Sequence, residues 1–231
     1  MRFLIDDKAE FALGWSPKCG NTHLKKIWYY LHNDFNEQLH RYHDEYNKPR
    51  IIPKHYTILI VTRNPYERLV SGVLDRLRLG TLPRKQWPDN YGPLTFEKYV
   101  DEILKENWNV VHKLHFERQL SDQFPSNITD YTKLYIQDIN SVDYSILEKK
   151  FGKKIPDNIL AFRGEHQNTR KRCDYGIENP AYTIPIDTFT EMVPLYENFY
   201  NKSIYDKVTK YYKVDLDFFK KYNLNYDIKY S

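Results

Sequence analysis

The chain has 231 residues, of which 41% are hydrophobic and 29% charged, and its formal net charge at pH 7 is +4. This length fits one domain in which helices cover both faces of a sheet, and we predict a single domain over residues 1–231. The mean hydropathy is −0.75. No apolar run reaches the roughly 18 residues that a membrane-spanning helix needs, so the sequence predicts no such span.

The N-terminal stretch and the cysteines bear on location and on metal binding. MRFLIDDKAE carries two acidic residues where a secretory signal needs an apolar segment, so we expect no signal and a cytoplasmic location for the chain as written. Cys19 and Cys173 supply neither a disulfide framework nor a metal-ligand set, and we expect free thiols. The histidines between residues 32 and 43 lack the Cys/His spacing of a metal site, so no metal is predicted.

Residues 11–31, FALGWSPKCGNTHLKKIWYYL, predict a strand, a loop and a helix in succession. Phe11 to Trp15 is a short apolar strand, and Ser16 to Thr22 is a tight polar loop before a helix with apolar residues at helical spacing. Backbone N–H groups and the helix dipole at such a helix start favour an anion. Lys18 adds a mobile positive charge, and Gly20 allows close approach of the backbone. The stretch therefore predicts a phosphate-binding loop, with an ordinary turn and a chance lysine as the alternative.

A second strand–turn–helix unit follows. The segment His55–Asn64, HYTILIVTRN, contains an unbroken apolar run, as expected for a strand buried on both faces of a parallel sheet. Asn64 suits the N-cap of the next helix and Pro65 its first turn. Arg63 lies at the carboxyl end of the strand, which is the edge where open parallel sheets bind ligands.

Weaker patterns predict the remaining elements. Residues 80–93 are rich in proline, glycine and charge and indicate an exposed loop. The other predicted elements are helices at Phe96–Trp108 and Val142–Phe151, a strand at Lys133–Gln137, a polar loop at Phe162–Cys173, and a helical segment in two pieces at Glu191–Phe219.

Two anion-binding units on one sheet indicate a ligand with two separated phosphate-like groups. The Walker A motif of nucleoside triphosphatases is a glycine, four variable residues and then Gly-Lys-Ser/Thr. Here Lys18 precedes Gly20, and no lysine stands beside Thr22. No obvious magnesium-binding acid follows a strand either, so the pattern disfavours a kinase or a triphosphatase.

Both units resemble the nucleotide-binding motifs of sulfotransferases that use 3′-phosphoadenosine-5′-phosphosulfate (PAPS). SPKCGNTHLK, residues 16–25, resembles their 5′-phosphosulfate loop. VTRNPYERLVSGVLD, Val61–Asp75, resembles the 3′-phosphate segment R-x-P-x-E-R-x-x-S of the carbohydrate sulfotransferases. LHFERQ at Leu114–Gln119 is similar to their His-Trp-x-Pro-Gln segment, and EHQN at Glu165–Asn168 to their His-x-Asn. The resemblance implies an α/β, P-loop-like three-layer fold with a central, mostly parallel sheet flanked by helices.

The resemblance also assigns the donor-binding residues. The 5′-phosphosulfate would be held by Pro17, Lys18, Cys19, Gly20, Asn21 and Thr22, and the 3′-phosphate by Arg63 and Ser71. Lys18 would act in catalysis as well, because charge builds on the leaving phosphate oxygen during sulfuryl transfer. Taken alone, Arg63 also fits a strand-end arginine paired with Glu67, and Ser71 an ordinary helix serine.

The acceptor side is assigned in the same way. The acceptor hydroxyl needs a base, for which His115 is the first candidate, His112 the second and Glu117 the third. The acceptor-binding residues implied by the resemblance are His115, Arg118, His166 and Asn168. Phe116 stands where the family usually has tryptophan, and Arg118 where it has proline.

These roles imply an enzyme that transfers a sulfuryl group from PAPS to a hydroxyl of a carbohydrate by in-line displacement, releases PAP and needs no metal. The expected partner is a carbohydrate acceptor and not a nucleic acid, and the sequence carries no signal for an oligomeric state. Two other classes stay open from the residues alone. They are a P-loop-type nucleotide-dependent kinase and a non-enzymatic binder of glycans or nucleic acid that uses the basic stretches and the abundant tyrosines.

Overall fold

The structure is a computed structural model. It describes residues 1–33, 51–78, 92–108, 111, 113–120, 128–162, 171–175, 180–189 and 192–230. The chain divides into two compact units: the first comprises Met1–Arg63 with Gln119–Gln167, and the second Asn64–Arg118 with Asn168–Ser231. A single domain over the whole chain stays a prediction.

A four-stranded, mostly parallel sheet forms the centre of the first unit. Its strands, in spatial order, are β1 (Arg2–Asp6), β2 (Phe11–Trp15), β3 (Thr57–Thr62) and β4 (Leu134–Asp138). β1 runs antiparallel to β2, whereas β2, β3 and β4 are parallel to one another. The carboxyl ends of these three strands therefore lie at one edge of the sheet, which is the ligand-binding edge in open α/β sheets.

Helices and a smaller sheet complete the described structure. The described α-helices are α1 (Asn21–Leu31), α2 (Pro65–Arg78), α3 (Phe96–Leu104), α4 (Lys113–Phe116), α5 (Ser145–Phe151), α6 (Asp157–Leu160), α7 (Lys202–Tyr211) and α8 (Lys213–Lys220). Short 3₁₀ helices occur at Ile128–Asp130, Ile186–Thr188 and Tyr196–Phe199. β5 (Lys171–Cys173) and β6 (Met192–Pro194) pair in parallel. The predicted α/β fold, a central, mostly parallel sheet flanked by helices, is confirmed.

The core of the first unit lies between one face of the sheet and α1. Leu13 and Leu59, which are paired across β2 and β3, pack in one fully buried cluster with Trp28 of α1. The alternate residues Ile58 and Ile60 are fully buried too. β3 is thus shielded on both faces, which is why its apolar run is unbroken.

The second unit has its own core, which is rich in aromatic residues. Tyr66 of α2, Phe96 of α3 and Tyr200 are all buried in it. The hydroxyl of Tyr200 donates to the carbonyl oxygen of Tyr66 at 2.8 Å, and its ring meets that of Phe96 edge-on at 5.6 Å between centroids. The phenol hydroxyl is buried, so this bond to the α2 backbone satisfies its donor.

Several predicted boundaries were wrong. The predicted helix at Phe96–Trp108 ends at Leu104, since Glu106 adopts a left-handed backbone with φ +53°. The predicted helix at Val142–Phe151 begins only at Ser145. The strand predicted at Lys133–Gln137 is shifted by one residue, to β4.

The two short strands are a further difference from the sequence analysis. Residues 171–173 form β5 instead of the polar loop predicted there, and residues 192–194 form β6 instead of helix. Three-residue strands are too short to show a period, and each is formed by pairing with the other. The predicted helical stretch becomes α-helical only at α7, where the side chain of Asn201 caps the helix by accepting from the N–H of Ile204.

β1 was not predicted at all. It joins β2 through a four-residue turn, in which the N–H of Ala9 donates to the side chain of Asp6 at 2.6 Å. Its residues pair along the whole of β2, with Arg2 opposite Trp15. Pairing with a strand that is already buried stabilises a segment whose own pattern is weak.

Four further predictions concern membrane spans, metal binding, the cysteines and the loop at residues 80–93. In the described part of the chain, no helix is both long and apolar enough to cross a membrane. The same residues contain no group of three or more His, Cys, Asp or Glu side chains placed to hold a metal. Cys19 and Cys173 are thiols that form no disulfide, as predicted. Most of the loop predicted at residues 80–93 lies outside the described residues.

Candidate active site

The loop between β2 and α1 turns tightly. The N–H of Cys19 donates to the carbonyl oxygen of Ser16 at 3.1 Å, and Lys18 and Gly20 both adopt left-handed backbone, with φ +69° and +68°. Gly20 occupies the N-cap position of α1 and has no side chain with which to cap it. Helix starts of this kind present first-turn amides to anions. The loop thus has the local geometry that its sequence predicted.

Gly20 is required there for two separate reasons. Its left-handed backbone is strained for any residue with a Cβ atom. A Cβ at this position would also lie 2.6 Å from Cδ1 and 2.8 Å from Cγ1 of Ile139, the residue that follows β4. The loop therefore packs directly on Ile139, at the carboxyl end of β4.

The structure brings Arg63 to this same loop. Arg63 follows β3, and its Nη1 donates to the carbonyl oxygen of Lys18 at 3.3 Å. Because β2 and β3 are adjacent and parallel, the loops at their carboxyl ends meet at one edge of the sheet. The two cationic residues predicted from separate motifs therefore lie side by side.

The helix after Arg63 begins as predicted. The side-chain oxygen of Asn64 accepts from the N–H of Tyr66 at 3.1 Å, and its carbonyl accepts from the N–H of Arg68 at 2.9 Å. Asn64 is thus the N-cap of α2. Ser71 lies in the second turn of this helix and is half-buried; its role at the 3′-phosphate stays a prediction.

His115 lies in a segment held by buried side chains of the second unit. Nη1 of the fully buried Arg68 donates to the carbonyl oxygen of Glu117 at 2.8 Å, and the hydroxyl of Tyr212 donates to that of Phe116 at 2.6 Å. Burial raises the pKa of Tyr212, and Arg68 partly offsets the rise. The half-buried His115 is therefore carried on a backbone that two buried side chains hold in place.

Packing of Phe116 on α2 further positions this segment. A Cβ on Gly72 would lie 2.8 Å from the ring of Phe116, which is fully buried. Arg118 is exposed, and its Nε donates to the carbonyl oxygen of Tyr211 at the end of α7 across 3.0 Å. This contact gives Arg118 a structural partner, and its acceptor-binding role stays a prediction. His112, His166 and Asn168 lie outside the described residues.

Two residues of the site were missed by the sequence analysis. Gln119 was part of a recognised segment but received no role, yet its side chain contacts both Cys19 and Arg63. Lys25 of α1 is buried, with Nζ 4.8 Å from the ring centroid of Trp15, and burial, assisted by Arg2, lowers its pKa to about 8. Both residues lie within segments quoted for the resemblance, Lys25 in residues 16–25 and Gln119 in Leu114–Gln119, but nothing in either segment showed that the side chain is buried.

Comparison with known proteins provides the family. A family model described as "Sulfotransferase family" matches residues 1–132, more than half of the 231-residue chain. The chain belongs to the sulfotransferase family. No curated protein and no solved structure gave a match. The matched range contains both loops of the site and the segment around His115, and the membership supports sulfuryl transfer as the general chemistry of this transferase.

Proposed function

We propose that this sulfotransferase takes a sulfuryl group from PAPS and transfers it to a hydroxyl of a carbohydrate acceptor. The observation that carries the proposal is the contact between the Arg63 guanidinium and the Lys18 carbonyl. PAPS has phosphate-bearing groups at both ends of its ribose. Cationic side chains from two neighbouring turns of one sheet edge suit such a ligand.

The loop after β2 fits the 5′ end of the donor. Gly20 has no Cβ and packs closely on Ile139, and the start of α1 favours a negative charge. Lys18 supplies a point charge, while Asn21 and Thr22, the first two residues of α1, supply side-chain donors. These groups would bind the phosphosulfate together with Pro17 and Cys19.

The turn after β3 fits the 3′-phosphate. A guanidinium carries five N–H donors in a planar fork, so Arg63 has the capacity to bond the Lys18 carbonyl and a phosphate together. Ser71 would add a hydroxyl donor to that phosphate. Arg63 then contributes binding and orientation of the donor more than chemistry.

The chemistry assigns separate tasks to the residues. When bound, PAPS supplies an activated sulfuryl group on a phosphate leaving group. Lys18 and the amides of α1 stabilise the negative charge that develops on the leaving oxygen. An imidazole nitrogen of His115 takes the proton of the acceptor hydroxyl, with His112 as the alternative base. A sulfuryl group carries less negative charge than a phosphoryl group, so the proposed transfer does not demand magnesium.

The carbohydrate acceptor rests on the likeness of Arg63–Ser71 to the carbohydrate sulfotransferase segment. His115, Arg118, His166 and Asn168 would contact the sugar. Incubation with PAPS and a panel of glycans, phenols and steroids, read by mass spectrometry, tests the acceptor class. Sulfation of the phenols or steroids without any glycan would contradict it.

Calorimetric titration with PAP tests the donor site. We expect micromolar binding that is weakened at least tenfold by Lys18→Ala and by Arg63→Ala and is unchanged in His115→Ala. Lys149→Ala is the matched control, since Lys149 is an exposed lysine on α5 of the same unit. ATP with magnesium serves as the competing ligand of a kinase. Binding that survives both donor-site substitutions, or a clear preference for ATP, would overturn the proposal.

A further inference from the structure

Gln119 connects the two loops that the proposed function places on the donor. It is fully buried, and its Oε1 accepts from Sγ of Cys19 at 3.1 Å and from the backbone N–H of Arg63 at 3.2 Å. Its Nε2 donates to the carbonyl oxygen of Arg63 at 2.8 Å, and its own carbonyl accepts from Oγ of Ser16 at 3.3 Å. One residue thus bonds two residues of the first loop, Ser16 and Cys19, and the backbone of Arg63.

The carboxamide has the chemistry that this position requires. Its oxygen has two lone pairs and accepts two bonds, while its nitrogen donates. Together they pair the N–H and the carbonyl of Arg63 as a neighbouring strand would. A carboxylate at this position would turn an oxygen toward the Arg63 carbonyl, and a thioether would bond neither group well. Because the site is buried, groups left without these bonds would not regain them from water.

These bonds also constrain where the charged groups point. Arg63 is held at its backbone by Gln119 and at its guanidinium by the Lys18 carbonyl. Cys19, next to Lys18, is held by the same carboxamide oxygen that accepts from Arg63. A shift of one loop relative to the other would therefore break bonds on Gln119 before the sheet itself is disturbed.

We propose that Gln119 is a positioning residue of the donor site: its carboxamide sets the spacing between Cys19 of the first loop and Arg63. The inference rests on the proposed function for the identity of the ligand. It predicts that loss of the carboxamide weakens binding of the two-ended nucleotide, because Lys18 and Arg63 no longer reach both ends in one geometry.

The test compares Gln119→Met with Gln137→Met. Both substitutions remove a carboxamide of the first unit. The side chain of Gln137, however, accepts from the N–H of Asp143 and not from Cys19 or Arg63. We expect Gln119→Met to weaken PAP binding at least tenfold in calorimetry while stoichiometry stays near one. In Gln137→Met the affinity should stay within about twofold of the wild type. A purely structural defect would lower the stoichiometry and leave the affinity of the folded fraction unchanged.

A second measurement needs no nucleotide. In a Cys173→Ser background Cys19 is the only thiol, and because it is fully buried its reaction with a thiol reagent reports opening of the loop. We expect labelling at least tenfold faster in Gln119→Met and unchanged in Gln137→Met, measured well below the unfolding temperature. If Gln119→Met fails to fold, Gln119→Glu takes its place in both measurements, since it keeps the size and one acceptor but loses the donor to Arg63.

The outcomes separate the two proposals. Unchanged PAP affinity and unchanged labelling in the Gln119 variant overturn the positioning role, as does an equal effect of Gln137→Met. Wild-type protein that does not bind PAP overturns the proposed function. Faster Cys19 labelling in that case would still show that Gln119 holds the loop, while its role at a PAPS site would be refuted.

Discussion

Arg63 donates through its guanidinium to the carbonyl oxygen of Lys18, although 45 residues separate them in the chain. A nucleotide with phosphates at both ends of its ribose is able to contact both residues only if they lie at the same edge of the sheet. The parallel pairing of β2 with β3 creates this arrangement. Had the strands been antiparallel, the two loops would lie at opposite edges.

Arg63→Lys should weaken PAP binding by about tenfold although the charge is retained. An ammonium is a point charge, whereas the guanidinium is a planar fork able to bond a carbonyl and a phosphate together. Calorimetry at two salt concentrations measures the effect. Equal affinity of Arg63→Lys and the wild type would show that only the charge matters.

Gly20→Ala should lower the free energy of unfolding by about 2–4 kcal/mol, because left-handed strain adds to the contact with Ile139. PAP binding should be lost with it, since the start of α1 must move. Gly152→Ala is the control: Gly152 also has left-handed backbone, but a Cβ there would meet no atom within 4 Å. That variant should lose about 1 kcal/mol and bind PAP normally. Chemical denaturation measures the stability of both variants, and calorimetry measures their PAP binding. Equal losses of stability in the two variants would show that the contact with Ile139 contributes nothing.

Gly72→Ala should reduce kcat while PAP affinity stays unchanged. The added Cβ displaces the ring of Phe116, the neighbour of His115, and hence disturbs the proposed base, which has no part in the proposed donor binding. The stability loss should be about 0–2 kcal/mol, as overpacking is partly offset by the better helix propensity of alanine. The double variant Gly72→Ala/Phe116→Leu, which makes room for the Cβ, should recover activity. A fall in PAP affinity as large as that in kcat would contradict this explanation.

Lys25→Met should raise the free energy of unfolding at pH 7. The pKa of Lys25 is lowered from its ordinary value of 10.5 to about 8, mainly by burial and to a smaller extent by the charge of Arg2. The folded state therefore binds this proton more weakly than the unfolded chain does. Between these two values the unfolded state carries more protons, and the stability of the wild type rises with pH. The advantage of Lys25→Met should therefore shrink across that window.

Denaturant titrations from pH 7 to 10.5 measure the difference between the two proteins. Lys149→Met is the control for replacement of a lysine by methionine, because Lys149 is exposed on α5. A constant difference between wild type and Lys25→Met over the whole range would show that burial does not displace the titration of Lys25.

Local sequence patterns predicted the elements that carry the loops. β2, α1, β3 and α2 were all predicted, and Asn64 is the N-cap of α2 as expected. In each case the deciding signal lies within a few residues, as an apolar run, a helical period or a capping side chain. The helix predicted to end at Trp108 stops at Leu104, and boundaries of this kind depend on a single backbone conformation, here that of Glu106.

Local sequence patterns did not predict the contacts between residues that are distant in the chain. β1 depends on its pairing with β2, and β5 depends on its pairing with β6, where Lys171 lies opposite Met192. Gln119 meets Cys19 from 100 residues away in the chain. Nothing in the segment around Gln119 marks its side chain as buried between two loops, because its partners, the thiol of Cys19 and the backbone of Arg63, are distant in the chain.

By itself the sequence determined which chemical groups are present and which short segments carry them: a lysine and a glycine before a helix, an arginine after a buried strand, a histidine in a third segment. Only the tertiary structure decided that Lys18 and Arg63 share one edge of the sheet and that Gln119 joins their loops. The physical reason is that helix periods and caps are local, whereas strand order and buried polar pairing arise when distant segments desolvate together.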